Sequence, residues 1–375
     1  MSINGVNQGS SGITIPKKIV AGLIRYWNIT PNVLGALVLP ADNLTDYQEK
    51  TISGWLDAHA IDEIDWIKKI ITWVASPVEI ANVMVFSYDL LIDRFYAHLT
   101  GLDNGVPAIL RRDGAVDFQF SWQPELDNVK EMICQNITGP GITRRENISF
   151  KFSRSEAELF FACCDLVKKS YMRAMISHDK PPTGLNLQDL KELLLEGEKE
   201  QDIRWLHPFL SAYLWDITTT AGKDFESGLS GLKKQGLIEP SVGGVIHLSE
   251  LGTILAHAFN YTPSRVGISN AVAIDSRPVI SSRLVLIRTV GQIWVITEKF
   301  DEPGSVIMTT IPGETMKEVV NEAFELPSLT HHPSSGLSQN HADATLMNCP
   351  HCNAPLPSSA KFCRKCGNPI NRETP

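Results

Sequence analysis

A chain of 375 residues with 43% hydrophobic content has material for two or three domains with sizeable cores. Its 34 lysines and arginines against 42 carboxylates give a formal net charge of −8, which argues against a broad nucleic-acid face. No run of 18 apolar residues exists, Met1 to Gly12 is polar and Gly/Ser-rich rather than a secretion signal, and four of the seven cysteines crowd the C-terminus. A cytoplasmic protein in a reducing compartment, with no membrane insertion, is the expectation.

After a flexible start over residues 1–12, Ile13-Thr14-Ile15 reads as a short strand. Pro16 then begins a helix whose buried stripe is Ile19, Leu23, Tyr26 and Trp27. A further helix ends in Gly54-Trp55-Leu56-Asp57-Ala58-His59-Ala60-Ile61, and the next carries Ile67, Ile70, Ile71 and Val74. Asp62, Glu63 and Asp65 open that helix, where carboxylates suit the dipole, so they are not read as an acid/base pair. Pro77 ends the helical region, and Asn82 to Phe86 is β-rich.

Phe95 to Leu99 is a strand, Asp103-Asn104-Gly105 a turn, and Val106 to Arg112 a second strand closed by the hairpin signal Asp113-Gly114. Val116, Phe118, Phe120 and Trp122 alternate with Asp117, Gln119 and Ser121, which makes a half-buried strand. Pro124 opens a helix carrying Leu126, Val129, Met132 and Ile133.

From Ile148 the same order of events returns. Ile148 to Phe152 is a strand, and Ser153 with Glu156 offers a capping box for a helix bearing Leu159, Cys163, Leu166 and Val167. Gly231-Leu232-Lys233-Lys234-Gln235-Gly236-Leu237-Ile238 matches the earlier helix end. Leu251, Ile254, Leu255 and Ala258 repeat the 0, 3, 4, 7 offsets of Ile67 to Val74, and Pro263 and the stretch Ile268 to Ile274 come next. Leu284 to Thr289, Ile293 to Thr297 and Val306 to Ile311 form a meander, split at Gly291 and Pro303-Gly304. A helix after Pro312 carries Met316, Val319, Val320 and Phe324.

The fold expected is α+β. Two diverged copies of a helix/antiparallel-meander unit, residues 13–137 and 148–325, form a pseudo-symmetric body joined near Gly139-Pro140-Gly141. The second copy carries an insertion over about 171–223, which includes Lys180-Pro181-Pro182 and the acidic helix Leu187 to Glu200.

The insertion and the residues after it also read as a winged helix, with Asp224 to Gly236 as recognition helix and Glu239 to His247 as a wing around Gly243-Gly244. Its chemistry suits DNA poorly. Lys223, Lys233 and Lys234 stand against Asp224 and Glu226, and the wing tip carries no cation, whereas a duplex reader neutralises several phosphates.

Residues 326–347 are rich in Ser, Pro, His and Asn and read as a disordered linker, in which His331, His332 and His341 are solvated. Beyond it, Cys349-Pro350-His351-Cys352 and Cys363-Arg364-Lys365-Cys366 form C-x2-C-x10-C-x2-C. Four thiolates at tetrahedral geometry make a closed structural site for one Zn²⁺ with no open position for substrate. His351 lies on the knuckle as a bystander. The segment resembles the short zinc ribbons of many bacterial proteins: Lys361-Phe362-Cys363 and Cys366-Gly367 match their pattern, while Asn353 replaces the usual first glycine.

Signatures of enzymes are missing: no G-x-x-x-x-G-K-[ST], no G-x-G-x-x-G after a strand, no H-E-x-x-H and no G-x-S-x-G. Ser358-Ser359-Ala360-Lys361 fits S-x-x-K but lies inside the ribbon loop. Cys163-Cys164, among Phe160, Phe161 and Leu166, and Cys134 read as core thiols. No catalytic or cofactor-binding residue is therefore assigned.

The repeated order of helix, L-x(3)-[AG]-[IL], helix, proline and meander-plus-helix over residues 13–325 resembles the ESX (type VII) secretion-associated chaperones. That resemblance implies a cytoplasmic, non-enzymatic protein that binds helical secretion substrates. The insertion and the ribbon depart from the family's usual pattern. The function expected is therefore an adaptor or chaperone with a protein partner. The alternative is a winged-helix/zinc-ribbon transcriptional regulator that binds DNA.

Overall fold

The structure is a computed structural model. It describes residues 12–39, 46–87, 92–99, 108–123, 125–138, 147–200, 202–214, 224–239, 243–274, 277–298, 304–324, 346–348 and 355–357. The turn expected at Asp103-Asn104-Gly105 and the junction expected at Gly139-Pro140-Gly141 lie outside the described residues.

The first series of elements is β1 (Gly12–Pro16), α1 (Lys17–Tyr26), α2 (Val33–Val38), α3 (Asp46–Asp57), α4 (Ile61–Ala75), β2 (Glu79–Ser87), β3 (Ile92–Leu99), β4 (Ala108–Asp113), β5 (Asp117–Gln123) and α5 (Leu126–Thr138). The second opens with β6 (Ser149–Ser153), α6 (Arg154–Ser177), β7 (Leu185–Asn186), α7 (Leu187–Glu200), α8 (Leu206–Leu214) and α9 (Phe225–Lys234). It continues with β8 (Val245–Ile246), α10 (Glu250–Asn260), β9 (Ser264–Ile274), β10 (Arg277–Arg288), β11 (Ile293–Glu298), β12 (Ser305–Ile311) and α11 (Met316–Ala323). A last pair, β13 (Leu346–Asn348) and β14 (Pro355–Pro357), lies near the C-terminus. The chain is α+β, as its sequence pattern implies.

By compactness the chain divides into two units. The first holds Met1–Asn136, Val266–Arg283 and Val319–Pro327; the second holds Ile137–Arg265, Leu284–Glu318 and Ser328–Pro375.

In the first unit the sheet runs β1-β5-β4-β3-β2-β9. Gly114 N–H donates to the Asp117 carbonyl at 2.9 Å, which closes the β4–β5 hairpin where Asp113-Gly114 foretold it. Ile109, Phe118 and Phe120 point to one face of the sheet and share a core with Ile19 and Leu23 of α1 and Ile67, Ile70, Ile71 and Val74 of α4. The buried face of α1 passes through Ile19, Val20, Leu23 and Ile24, which leaves Tyr26 outward rather than in the stripe expected for it. Asn32 fastens α2 to the end of α4. Its Oδ1 accepts from Leu34 and Gly35 N–H at 3.0 and 2.9 Å, and its Nδ2 donates to the Pro77 carbonyl at 2.7 Å.

In the second unit residues 284–288 of β10 pair with β11, β11 with β12, and β12 with β6, all antiparallel. The capping box of α6 forms as expected: Ser153 N–H donates to the Glu156 carboxylate, and Glu156 N–H to Ser153 Oγ at 3.3 Å. Residues 157–167 of α6 are buried without interruption, with Phe160 and Phe161 edge-on to Phe259 of α10. Of the stripe expected on α10, Leu251, Ile254, Leu255 and Ala258, only Leu255 is fully buried. α10 buries Gly252, Leu255, Ala256 and Phe259, while Leu251 and Ile254 face outward. A Cβ at Gly252 would overlap the Leu237 carbonyl, so this helix rests on the face of Gly252, Leu255, Ala256 and Phe259, and Leu251 and Ile254 are carried away from the core. In both series the opening strand returns beside the last strand of the meander, β1 on β5 and β6 on β12.

Two helical glycines set a stability test. A Cβ at Gly35 would overlap the Ala75 backbone, whereas at Gly54 nothing lies within 4 Å. Gly35→Ala should cost about 1–3 kcal/mol by overpacking. Gly54→Ala should stabilise by roughly 0.5–1 kcal/mol through helix propensity. Urea unfolding reads both, and equal effects would contradict the close approach of α2 to α4.

Candidate functional site

The expected zinc ligands Cys349, Cys352, Cys363 and Cys366 lie outside the described residues, as do Lys361, His331, His332 and His341. The described part of this region is the strand pair β13–β14. β13 and β14 pair antiparallel, Leu346 opposite Pro357 and Asn348 opposite Pro355, so the connection 349–354 holds the first cysteine pair. β13 begins at Leu346, inside the stretch expected to be linker. Two C-x2-C pairs separated by ten residues are a donor set suited to one tetrahedral Zn²⁺.

The body's cysteines sit as packing predicts. Cys163 and Cys164 are buried on α6, and burial pushes the Cys163 thiol up to about 12, far from a reactive thiolate. Cys134 is buried on α5. Asp62 and Glu63 fall in the first turn of α4, where Glu63 Oε2 accepts the Ala60 N–H at 3.3 Å, a helix-start role.

The wing foreseen around Gly243-Gly244 takes a definite form. Leu185 pairs with Ile246 and Asn186 with Val245, which sets a strand lying between α6 and α7 beside the one after α9. Ile238 bridges Leu248, and Glu239 N–H donates to the His247 carbonyl at 2.8 Å. Gly243 and Gly244 have φ of +61° and +78°, a turn that glycine adopts without strain. Phe225, Gly228 and Leu232 of α9 are buried, and a Cβ at Gly228 would lie 3.0 Å from the Ser155 carbonyl on α6. The exposed positions of α9 are Glu226, Ser227, Ser230, Lys233 and Lys234, a weakly charged face.

Two features carry no local sequence signal. One is a buried ionic group. Asp165 on α6 accepts the N–H groups of Leu206 and His207 at 2.9 and 2.8 Å and so caps the start of α8. Burial pushes its carboxyl up to about 6, against the pull of those N–H groups, Arg265 and Lys168. Burial likewise lowers Arg265 to about 10 and His207 to about 4. Arg265 lies over the Phe209 ring at 5.4 Å and donates to the Arg204 carbonyl at 2.8 Å.

The other is an exposed apolar face. Tyr171, Met172, Met175 and Ile176 of α6 stand in water, as do Leu251 and Ile254 of α10 and Tyr261 just past its end. The two helices meet there: Tyr171 lies edge-on to the His257 ring at 5.1 Å, with Oη 3.4 Å from Nε2. Tyr171 was expected to open the insertion, yet it sits within a continuous helix.

Residues 348–370 match the family model of the zinc-ribbon domain. No curated protein matches the chain in sequence. Among solved structures, the chain is similar to the Mycobacterium tuberculosis type VII secretion system chaperone EspG5, solved in complex with a PE25-PPE41 dimer. The TM-score is 0.43 at 9% identity, over 85% of this chain and 98% of that one.

The Asp165 cap predicts a pH signature. Its folded carboxyl ionises at about 6 and the unfolded one near 3.8, so the folded state holds the extra proton between them. This group's contribution to stability is therefore largest below the lower value and declines as pH rises through the window. Asp165→Asn removes the titration. Relative to the parent, the variant should gain on the order of 2–3 kcal/mol as pH climbs from about 4 to about 6.5 in urea unfolding. A difference between the two that does not change with pH would contradict the buried cap.

Proposed function

We propose that this protein is a non-enzymatic, cytoplasmic adaptor or chaperone that binds another protein, with a helical secretion substrate of the type VII kind as the partner class. The observation that carries this reading is the exposed apolar face of α6 and α10. Burying one large aliphatic or aromatic side chain is worth about 1.5–3 kcal/mol, so a chain that leaves several of them together in water forgoes stability. Contiguous exposed apolar surface of this kind marks sites of protein association. The body itself is read as a duplicated unit, and the matching returns of β1 onto β5 and β6 onto β12 support that reading.

The ribbon is proposed to hold one structural Zn²⁺ through Cys349, Cys352, Cys363 and Cys366. So short a segment cannot bury a core, and metal binding of about 10–16 kcal/mol is what would fold it. Metal analysis of protein purified without chelator should find one equivalent of zinc. Loss of that equivalent is expected when Cys352 and Cys366 become serine. Less than half an equivalent in the parent, or no loss in the variant, would contradict the assignment.

A second reading, a winged-helix and zinc-ribbon DNA-binding regulator, is favoured by the β7–β8 pairing and the Ile238–Leu248 bridge. The exposed side of α9 and the glycine wing tip offer it few phosphate contacts. Titration with mixed duplex DNA separates the two. The adaptor should bind no tighter than about 10⁻⁴ to 10⁻⁶ M at physiological salt. A tagged pull-down from the native cell should recover a small helical protein or a secretion ATPase. Nanomolar, sequence-selective DNA binding, or recovery of RNA polymerase subunits, would establish the regulator instead.

A further inference from the structure

The last turns of α6 are built unlike the rest of it. Residues 157–167 are buried at every position, whereas from Tyr171 to His178 only Ala174 is. A helix that projects into water ordinarily turns polar. This one presents Tyr171, Met172, Met175 and Ile176, which at i, i+1, i+4 and i+5 form a single stripe. Met175 and Ile176 are 75% and 80% exposed. Beside it, Leu251, Ile254 and Tyr261 recur at three- and seven-residue steps on the outer side of α10 and just past its end, with His257 between them touching Tyr171. Two helices thus pool one apolar face.

The charge around this face has a sign of its own. Between residues 168 and 180 stand Lys168, Lys169, Arg173 and Lys180, against the single carboxylate Asp179. Of these, Lys168 interacts with the buried Asp165 and Arg265, while Arg173 on the helix and Lys180 just past its end are exposed. α10 contributes one carboxylate, Glu250, at its start. The chain as a whole carries −8, so a cationic border is a local departure rather than a reflection of composition.

We propose that this face docks an amphipathic helix of the partner protein, apolar at i, i+3 or i+4, and i+7, with carboxylates along its flanks. Two contacting helices offer a third helix a seat between them, and apolar anchors at helical spacing are how such seats are read. Methionine's unbranched, polarizable side chain lets such a seat adapt to differing anchors. The cations would then select an acidic flank and reject a basic one. The proposal rests on the adaptor reading and gives that partner a chemistry and a place.

The test uses the full-length, zinc-loaded chain and two labelled synthetic helical peptides of about 20 residues. Both carry leucine at the anchor spacing; one has glutamate on its flanks and the other lysine. Fluorescence anisotropy should find the glutamate peptide bound at least about tenfold more tightly. Met175→Asp combined with Ile176→Asp should weaken it about tenfold or more, with thermal unfolding unchanged because both side chains are exposed. Arg173→Glu with Lys180→Glu should shift preference towards the lysine peptide.

Equal binding of the two peptides, or indifference to the Met175 and Ile176 changes, overturns the proposal. So does sedimentation showing a dimer of this chain that those changes dissolve, since the face would then join two copies. If the peptides fail while the pull-down still recovers a protein, this inference falls and the adaptor reading stands. Nanomolar DNA binding would remove the adaptor reading itself.

Discussion

One 24-residue helix answers to two environments, and the second unit is arranged around that division. At about 1.5 Å per residue α6 is roughly 36 Å long, more than the unit's core needs. Its first half is fixed by aromatic burial, with Phe160 and Phe161 against Phe259, and Phe152 of β6 stacked on Phe160 at 5.7 Å. The neighbours are then fastened by specific chemistry. Asp165 caps α8, Gly228 lets α9 come close at Ser155, and Tyr171 meets His257 of α10. Past that contact the helix is largely exposed, and it carries the surface on which the functional reading rests.

The edge strand of the second unit is managed in a related way. β6 pairs with β12 on one side, and Gln235 Nε2 donates to the Lys151 carbonyl at 3.0 Å. A side-chain donor placed on an edge carbonyl blunts its capacity to recruit another strand. Association through helix faces rather than strand pairing is consistent with that arrangement. In the first unit, β1 is a short strand that ends at Pro16, which lacks the N–H a further ladder would need.

Much of this fold was legible in the sequence where local chemistry decides structure. The alternation from Phe118 to Trp122, the Asp113-Gly114 turn and the Ser153/Glu156 box each specify their geometry within a few residues. The failures arise where packing chooses among options the sequence leaves open. α10 has apolar residues on two faces, Leu251 and Ile254 on one and Leu255 and Phe259 on the other. The 0, 3, 4, 7 spacing takes in Leu251, Ile254 and Leu255 together; the close approach of Gly252 to Leu237 selects the side that holds Leu255. The Asp165 cap joins positions 41 and 42 residues apart, a pairing that no local pattern signals. The exposed face went unseen for the same reason as the α10 stripe, because apolar residues at helical spacing read as core. The C-x2-C-x10-C-x2-C spacing is legible as a pattern, and residues 348–370 match the zinc-ribbon family model.

Protein recognition and DNA recognition place different demands on the same helices. A DNA reader would concentrate cations on α9 and the wing, whereas here a cluster of exposed apolar side chains with cations near it lies on α6, with α10 beside it. Hydrogen exchange of the full chain, with and without the partner recovered from its native cell, probes this most directly. Amides of residues 171–178 and 250–261 should exchange more slowly in the complex, while those of α9 and the wing are unaffected. Slowing confined to α9 and the wing, with 171–178 unchanged, would contradict the assignment of the binding face.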